Sequence, residues 1–500
     1  MLSEKWSHLK SGTDIRGVAS EGVEGESVNL TSDVCEAIIH AFTLWLSDRL
    51  GKDYGELTVS VGRDSRISGP AIADVVTRTL SADGVTVLDC GLASTPSMFM
   101  TTIDLDCDGA VQITASHHPF NRNGLKFFTK DGGLESEDIT ALLELAQDGK
   151  KPSSIVSGEI KAVDYMTDYA ERLKNIIKKE VNAQDFDHPL RGFKIVVDAG
   201  NGAGGFYADK VLAELGADTR GSRYLEPDGM FPNHVPNPEN EEAMASICEA
   251  VLESKADLGV IFDTDVDRGG AVDSSGNEIN RNRLVAVASA IALEGNEGGT
   301  IVTDSITSSG LKDFIENTLG GKHCRFKRGY KNVINEAIRL NGEGINCPLA
   351  IETSGHAAMR ENYFLDDGAY LCTKIIIKMA KLKQEGKTLE EYVSQLKEAK
   401  EEREVRYKIT EKDFRSYGES VIDKLNEYAL TQEGWTLADD SREGVRVSLD
   451  KEHGNGWFLL RLSVHDPIMP LNIESDDEGG AEVIFSQISD FISTCEGLTL

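Results

Sequence analysis

Between residues 33 and 50, apolar side chains recur at Val34, Ala37, Ile38, Ala41, Phe42 and Trp45, the spacing of one helical face. Asp33, with Glu36 three residues on, supplies a capping pair at its start. Short apolar runs at LTVSVG (57–62), VTVLDCG (85–91) and DGAVQITAS (108–116) predict strands, with a helix from about Pro70 after the first. The alternation restarts at KIVVDAGNGAGG (194–205), a buried strand running into a glycine-rich loop and a helix to Gly216, and continues at ADLGVIFD (256–263). It restarts again at GTIVTDS (299–305), with helices over 309–319 and 330–340 and a strand in CPLAIETSGH (347–356). Strand–helix alternation of this kind predicts α/β layers. Residues 384–405 are charged and helix-prone, a connector. Beyond them GVRVSL (444–449), WFLLRLSV (457–464) and LNIES (471–475) predict strands and 481–494 a helix, a smaller α+β unit.

Ligands in open α/β sheets bind beyond the carboxyl ends of strands, so the loops after these strands are where chemistry belongs. One such loop is ITASHHP (113–119), where an apolar run stops at Ser116, His117 and His118. It reads as a helix cap or turn, or as a nucleophile beside imidazoles. A second is DTDVDR (263–268), with carboxylates at Asp263, Asp265 and Asp267. It reads as a solvated acidic turn, or as an all-oxygen site for a hard cation such as Mg²⁺. An EF-hand is excluded, because Arg268 and Ser274 stand where that loop needs Gly and Glu. A phosphoserine at Ser116 would add oxygen ligands and negative charge to such a site. Basic residues recur at other strand ends: Arg16, Arg63, Arg66, Lys327, Arg328 and Lys331, with Lys126 in NRNGLKFF. Together they predict a phosphate-lined cleft. GNGAGG (200–205) lacks the GK[ST] of a Walker loop and reads as a tight turn more than a phosphate cradle. In ETSGH (352–356), a carboxylate and a hydroxyl after a strand suit vicinal sugar hydroxyls.

Bulk properties narrow the class. The 500 residues suit three or four domains, and 40% hydrophobic content supports real cores. A net charge of −32, from 52 basic and 84 acidic residues, argues against a nucleic-acid surface. The longest apolar run, Leu284 to Leu293, is too short to span a bilayer, so no membrane partner is expected. The start lacks a signal-peptide core, and the eight cysteines form no CxxC pair. The expected setting is cytoplasmic, or a plastid stroma had a transit peptide been removed.

In order along the chain, GTDIRG, VGRDSR, TASHHP with NGLK, DGMFPNHVPNP, DTDVDR, ETSGH with Asp367-Gly368, and RLSVHDP resemble the α-D-phosphohexomutase family, which includes phosphoglucomutases and phosphomannomutases. The resemblance implies three similar α/β domains and a smaller C-terminal α+β domain around a central cleft. The expected division is 1–155 with the phosphoserine loop, 156–280 with the metal loop, 281–403 with the sugar-recognition loop and 404–500 for phosphate binding. It implies interconversion of hexose 1-phosphate and hexose 6-phosphate, of glucose or mannose, through a phosphoserine and a hexose 1,6-bisphosphate that also serves as activator. Ser116 would be the phosphorylated nucleophile and would ligate Mg²⁺ with Asp263, Asp265 and Asp267. His117, Lys126 and Arg16 would serve catalysis. Arg268, Lys331, Glu352, Ser354, His356, Arg461, Ser463 and His465 would bind substrate. Partners would be small sugar phosphates, acting on a monomer or dimer.

The chain departs from the family pattern at two places. His118 stands where Asn is usual, and RLSVHDP (461–467) stands where the family carries RxSGTEP, so that Val464 replaces Gly, His465 replaces Thr and Pro470 takes a position often held by Arg. A β-branched residue disfavours the positive φ that glycine permits. Weak retention of the bisphosphate would make the chain a hexose 1,6-bisphosphate synthase fed by a sugar bisphosphate donor. A reading from another class is an inactive sugar-phosphate binder, against which the intact Ser116 and triple Asp stand.

Overall fold

A computed structural model describes residues 2–153, 156–463 and 466–500. The chain divides into two compact units, Met1–Leu284 with Ser354–Glu391, and Val285–Thr353 with Tyr392–Leu500.

The first unit opens on an eight-stranded mixed sheet. Parallel strands Thr58–Arg63, Thr86–Leu92 and Gly109–Ile113 form its centre, with Thr58–Arg63 between the other two. Arg122–Thr129 runs antiparallel beside Gly109–Ile113, and Asp14–Val18 antiparallel beside that. The run that predicts a strand over 108–116 thus ends at Ile113, which leaves Ser116 in the loop that turns into Arg122–Thr129. Helix Ser32–Leu50 packs here through Val34, Ile38, Phe42 and Leu46. Its cap is Thr31, whose hydroxyl accepts from Val34 N at 3.4 Å, and not Asp33, which sits in the first turn and favours the helix dipole.

A second sheet pairs Ile195–Asp198 and Leu258–Phe262 in parallel and folds back through Gly269–Asp273. Helix Glu241–Ser254 covers it with Met244, Ile247 and Val251. The helix expected up to Gly216 is a π-helical turn over Tyr207–Ala213. The hairpin Ala357–Met359 and Leu365–Asp366 and helix Gly368–Gln384 also belong to this unit.

In the second unit, Thr300–Thr303 lies between Lys322–Arg325 and Leu349–Ile351, all parallel. The C-terminal sheet is six-stranded, in the order Trp435–Leu437, Val445–Leu449, Gly456–Leu460, Ile468–Ser475, Glu401–Ile409, Leu498–Thr499. Helices Phe414–Ala429 and Gly480–Ile492 share its core through Val421, Leu425, Ile484 and Ile488. Two expectations are corrected here. The connector at 384–405 ends in a strand, because Arg403 stacks on the Phe485 ring at 3.5 Å and Glu401 accepts from Gly479 N and Ala481 N. The strand expected over 457–464 stops at Leu460.

The eight cysteines are all free, and six are buried. Burial pushes the thiol pKa up to about 12 at Cys35 and at Cys90. Among the described residues, no helix is long and apolar enough to cross a membrane.

Candidate active site

Two strand ends of the first unit meet at Ser116. Its φ of 51° places a non-glycine residue in the left-handed region, a conformation that costs about 1–3 kcal/mol and persists only where surrounding contacts fix it. Its Oγ donates to Asp263 Oδ2 at 3.2 Å and accepts from Arg268 Nη2 at 2.9 Å. Val266, a β-branched residue, also sits at positive φ (68°), and this tight turn carries Asp263, Asp265 and Asp267 together. GNGAGG packs beneath it: Ala203 N donates to Thr264 O at 2.8 Å, and a Cβ on Gly202 would lie 2.6 Å from that oxygen. The glycine loop is therefore a packing turn, not a phosphate cradle.

The three carboxylates are essentially buried and lie close enough for one ion to bridge them. Burial, then the charges of Asp267 and Asp265, pushes the Asp263 pKa well above the usual carboxylate range. Burial acts the same way on Asp267, but Lys126, His356 and Arg268 outweigh it and hold that group low. Thr95 donates both its N–H, to Asp265 O at 2.8 Å, and its hydroxyl, to Asp265 Oδ2. Asp265 Oδ1 and Asp267 Oδ1 remain buried with no hydrogen-bond partner among the described residues. Oxygen atoms left in this way are costly unless a cation takes them, so the donor set fits a hard divalent ion.

The positive side is equally concentrated. Lys126 Nζ donates to Asp267 Oδ2 and stands 3.6 Å from Asp265 Oδ2. Arg268 also donates to His117 Nδ1, and its Nη1 reaches Asn237 Oδ1 at 3.2 Å. Burial, then Arg268, lowers the His117 pKa to about 2, so this ring is a neutral acceptor at physiological pH. His118 falls to about 3, through burial and then Arg16. Arg16 itself donates to Asp14 Oδ2 at 2.7 Å. His356 is held by Asp366 and lies 4.0 Å from Asp267 Oδ1. Burial works against its charged form, but Asp366 and Asp267 outweigh that and raise its pKa. Gly355 is required beside it: φ is +94° and a Cβ would lie 2.7 Å from Gly269 O. Ser354 Oγ is buried without a partner among the described residues.

The remaining expected residues lie in the second unit. Glu352 Oε1 accepts from Gly329 N at 2.6 Å, and Lys331 is in the first turn of helix Tyr330–Gly342. Arg461, with its side chain 11% exposed, has Nη1 4.0 Å from Glu443 Oε1. Ser463 Oγ accepts from Asp466 N at 3.3 Å. His465 and Val464 lie outside the described residues. Arg66, expected among the phosphate-lining cations, is instead fully buried and occupied by backbone carbonyls. Sequence reasoning missed Asp64, Thr95, Asp366 and Glu443; the GRDS run pairs Asp64 with Arg66 and was the one readable signal.

Comparison with known proteins agrees with this geometry. The profile described as phosphoglucomutase/phosphomannomutase, alpha/beta/alpha domain I, matches residues 9–152. Those for domains II and III match 167–276 and 280–399. A phosphomannomutase/phosphoglucomutase of Pseudomonas syringae pv. tomato is 30% identical over 475 residues, 94% of this chain and 92% of its own length. A phosphoglucomutase/phosphomannomutase of Thermococcus kodakarensis is 31% identical over 467 residues, 93% of this chain and 94% of its own. A crystal structure of a phosphoglucomutase/phosphomannomutase family protein from Burkholderia thailandensis superposes with a TM-score of 0.80 at 26% identity, covering 99% of this chain and 98% of that one.

Proposed function

The chain belongs to the phosphoglucomutase/phosphomannomutase family, and on that premise we propose that it interconverts hexose 1-phosphate and hexose 6-phosphate, of glucose, mannose or both, through phospho-Ser116 and a hexose 1,6-bisphosphate. The observation that carries this reading is Ser116 Oγ, shared between Asp263 and Arg268 at the edge of three buried carboxylates.

Asp263, Asp265 and Asp267 would hold Mg²⁺, with Ser116 or its phosphate as a further ligand. When bound, the ion supplies positive charge against the phosphoryl oxygens. The chain's own residues position the groups. Phospho-Ser116 gives its phosphoryl group to the free hydroxyl of the hexose phosphate, and the other phosphoryl group of the resulting bisphosphate returns to Ser116. Arg268, already donating to Ser116 Oγ, stabilises the serine oxygen as its bond to phosphorus breaks. Lys126 neutralises the carboxylate pair it touches, Arg16 adds a second cation, and neutral His117 orients Arg268. His356, held by Asp366, binds substrate together with Ser354. Glu352, Lys331, Arg461, Ser463 and His465 bind the sugar and its second phosphate, and hexose 1,6-bisphosphate primes the enzyme. The four-part division at residues 155, 280 and 403 and a cytoplasmic setting belong to the same reading. The relatives above carry mutase names, so they favour neither the bisphosphate-synthase nor the inactive-binder reading.

Phosphorus NMR with Mg²⁺, glucose 1-phosphate, catalytic glucose 1,6-bisphosphate and fructose 1,6-bisphosphate as phosphoryl donor tests the proposal. Glucose 6-phosphate should accumulate while glucose 1,6-bisphosphate stays catalytic, and Ser116→Ala should abolish the conversion with the fold intact. Net accumulation of glucose 1,6-bisphosphate at the expense of the donor, or an active Ser116→Ala variant, would refute it.

A further inference from the structure

Arg66 heads the fully buried side chains of this protein in size, and the reaction scheme above gives it nothing to do. Its guanidinium is turned onto the backbone. Nη1 donates to Pro119 O at 2.8 Å and to Arg122 O at 2.9 Å. Nη2 donates to His118 O at 2.7 Å and to Ser116 O. Four carbonyls of the loop after strand Gly109–Ile113 thus converge on one cation, and Asp64 Oδ2 stands 3.3 Å from its Nε. Phe231 closes the site, its ring centroid 5.3 Å from the guanidinium carbon.

The contacts form a closed circuit through Ser116. Arg66 N donates to Asp64 Oδ1 at 2.9 Å. Asp64 Oδ2 accepts from the Thr114 hydroxyl at 2.7 Å, and Thr114 Oγ1 accepts from Ser116 N at 2.9 Å. The circuit returns through Ser116 O to Arg66 Nη2. Both backbone polar groups of Ser116 are therefore held by buried side chains, at the residue whose φ is 51°. A buried ion pair is weak evidence for stability, since desolvating two charges cancels much of their attraction. Fixing one strained loop geometry is a use that a well-packed apolar pair could not serve.

We propose that Arg66, Asp64 and Thr114 are positioning residues for phosphoryl transfer: from behind the loop they hold Ser116 in its left-handed conformation, so that Oγ points at Asp263 and Arg268. The inference rests on Ser116 being the phosphoryl carrier.

The test compares Thr114→Val, Thr114→Ser and Arg66→Lys, with thermal melting as a check on folding. Each is assayed for steady-state kinetics and for the rate at which Ser116 takes phosphate from glucose 1,6-bisphosphate. Thr114→Val keeps the shape and breaks the circuit; kcat and the phosphorylation rate should each fall about tenfold or more, with KM within about threefold. Thr114→Ser restores the hydroxyl and should restore kcat. Arg66→Lys keeps the charge but cannot span four carbonyls, and should lose about a hundredfold in kcat if it folds. A folded Thr114→Val enzyme with wild-type kcat overturns the proposal, as does a Thr114→Ser enzyme no better than Thr114→Val. If Ser116→Ala remains active, the carrier assignment itself fails, and that outcome is read from a separate variant.

Discussion

Ser116 Oγ donates to Asp263 Oδ2 at 3.2 Å, although 147 residues separate the two in sequence. A serine that follows one sheet and a carboxylate that follows another meet with both side chains buried. Removal of the carboxylate should therefore affect two measurements together. Asp263→Asn should lose Mg²⁺-dependent thermal stabilisation and also phosphate uptake on Ser116. Ser116→Ala, which keeps all three carboxylates, should lose the second outright and retain most of the first. A wild-type protein saturated a hundredfold above its dissociation constant gains about 2.7 kcal/mol, well within reach of a melting experiment.

Asp265 Oδ1 is buried with no hydrogen-bond partner among the described residues. Asp265→Asn replaces one of three crowded carboxylates with a neutral amide, so without metal it should melt higher than wild type. With metal the order should reverse. Melts in chelator and in millimolar Mg²⁺ read both halves.

Glu443 sits where the second unit would attract an anion. Its Oε2 accepts from Ser305 Oγ at 2.6 Å and from Arg328 N at 3.1 Å, and its Oε1 faces Arg461. Glu443→Gln removes this competing charge and should lower KM for hexose phosphates several-fold, about 1 kcal/mol of charge interaction at a largely buried site. A raised KM would show that Glu443 instead orders the site.

His40 is held by Asp83 at 2.7 Å and Glu36 at 3.3 Å. Burial opposes its charged form, but the two carboxylates prevail and its folded pKa is raised above 6.5. The resulting stability is complete below the unfolded pKa and is lost as pH rises through the folded value. His40→Gln should therefore cost most near pH 5.5 and least near pH 9, as seen in paired denaturant titrations.

Gly229 meets Arg66 across a β-bridge, and a Cβ there would lie 2.4 Å from Ile67 N and from Ser65 O. Both contacts are backbone and cannot swing away. Gly229→Ala should cost about 1–3 kcal/mol and should lower kcat by disturbing the segment that carries Arg66.

Much of the site could be read in the chain because strand ends carry it. Ser116, Asp263 and Arg268 each follow an apolar run, and the unbroken apolarity of those runs marked them as buried strands. Arg66 could not be placed by the same logic. An arginine in a loop after a strand looks like a surface cation, and only the convergence of carbonyls from residues 116–122 makes burial tolerable. Glu401–Ile409 was hidden for a related reason. Its inward face carries Glu401 and Arg403, whose contacts are a helix start and a phenylalanine ring on a distant segment. Thr31 took the cap from Asp33 because the helix begins at Ser32, two residues earlier than a cap at Asp33 implies. Glu443 offered no signal, since Ser305 and Arg328, which donate to it, are more than a hundred residues away in sequence.

The buried thiols give this chain a built-in clock for its own opening. Cys35 lies in the core of the N-terminal sheet, Cys495 in that of the C-terminal sheet, and Cys372 against strand Gly269–Asp273 of the second sheet. With the pKa pushed up to about 12 at Cys35 and raised by burial at Cys372, these groups react with alkylating reagents only when their surroundings part. Alkylation followed peptide by peptide would then time the breathing of each core separately. No probe would have to be engineered, and the order in which the layers loosen on heating could be read from the native sequence.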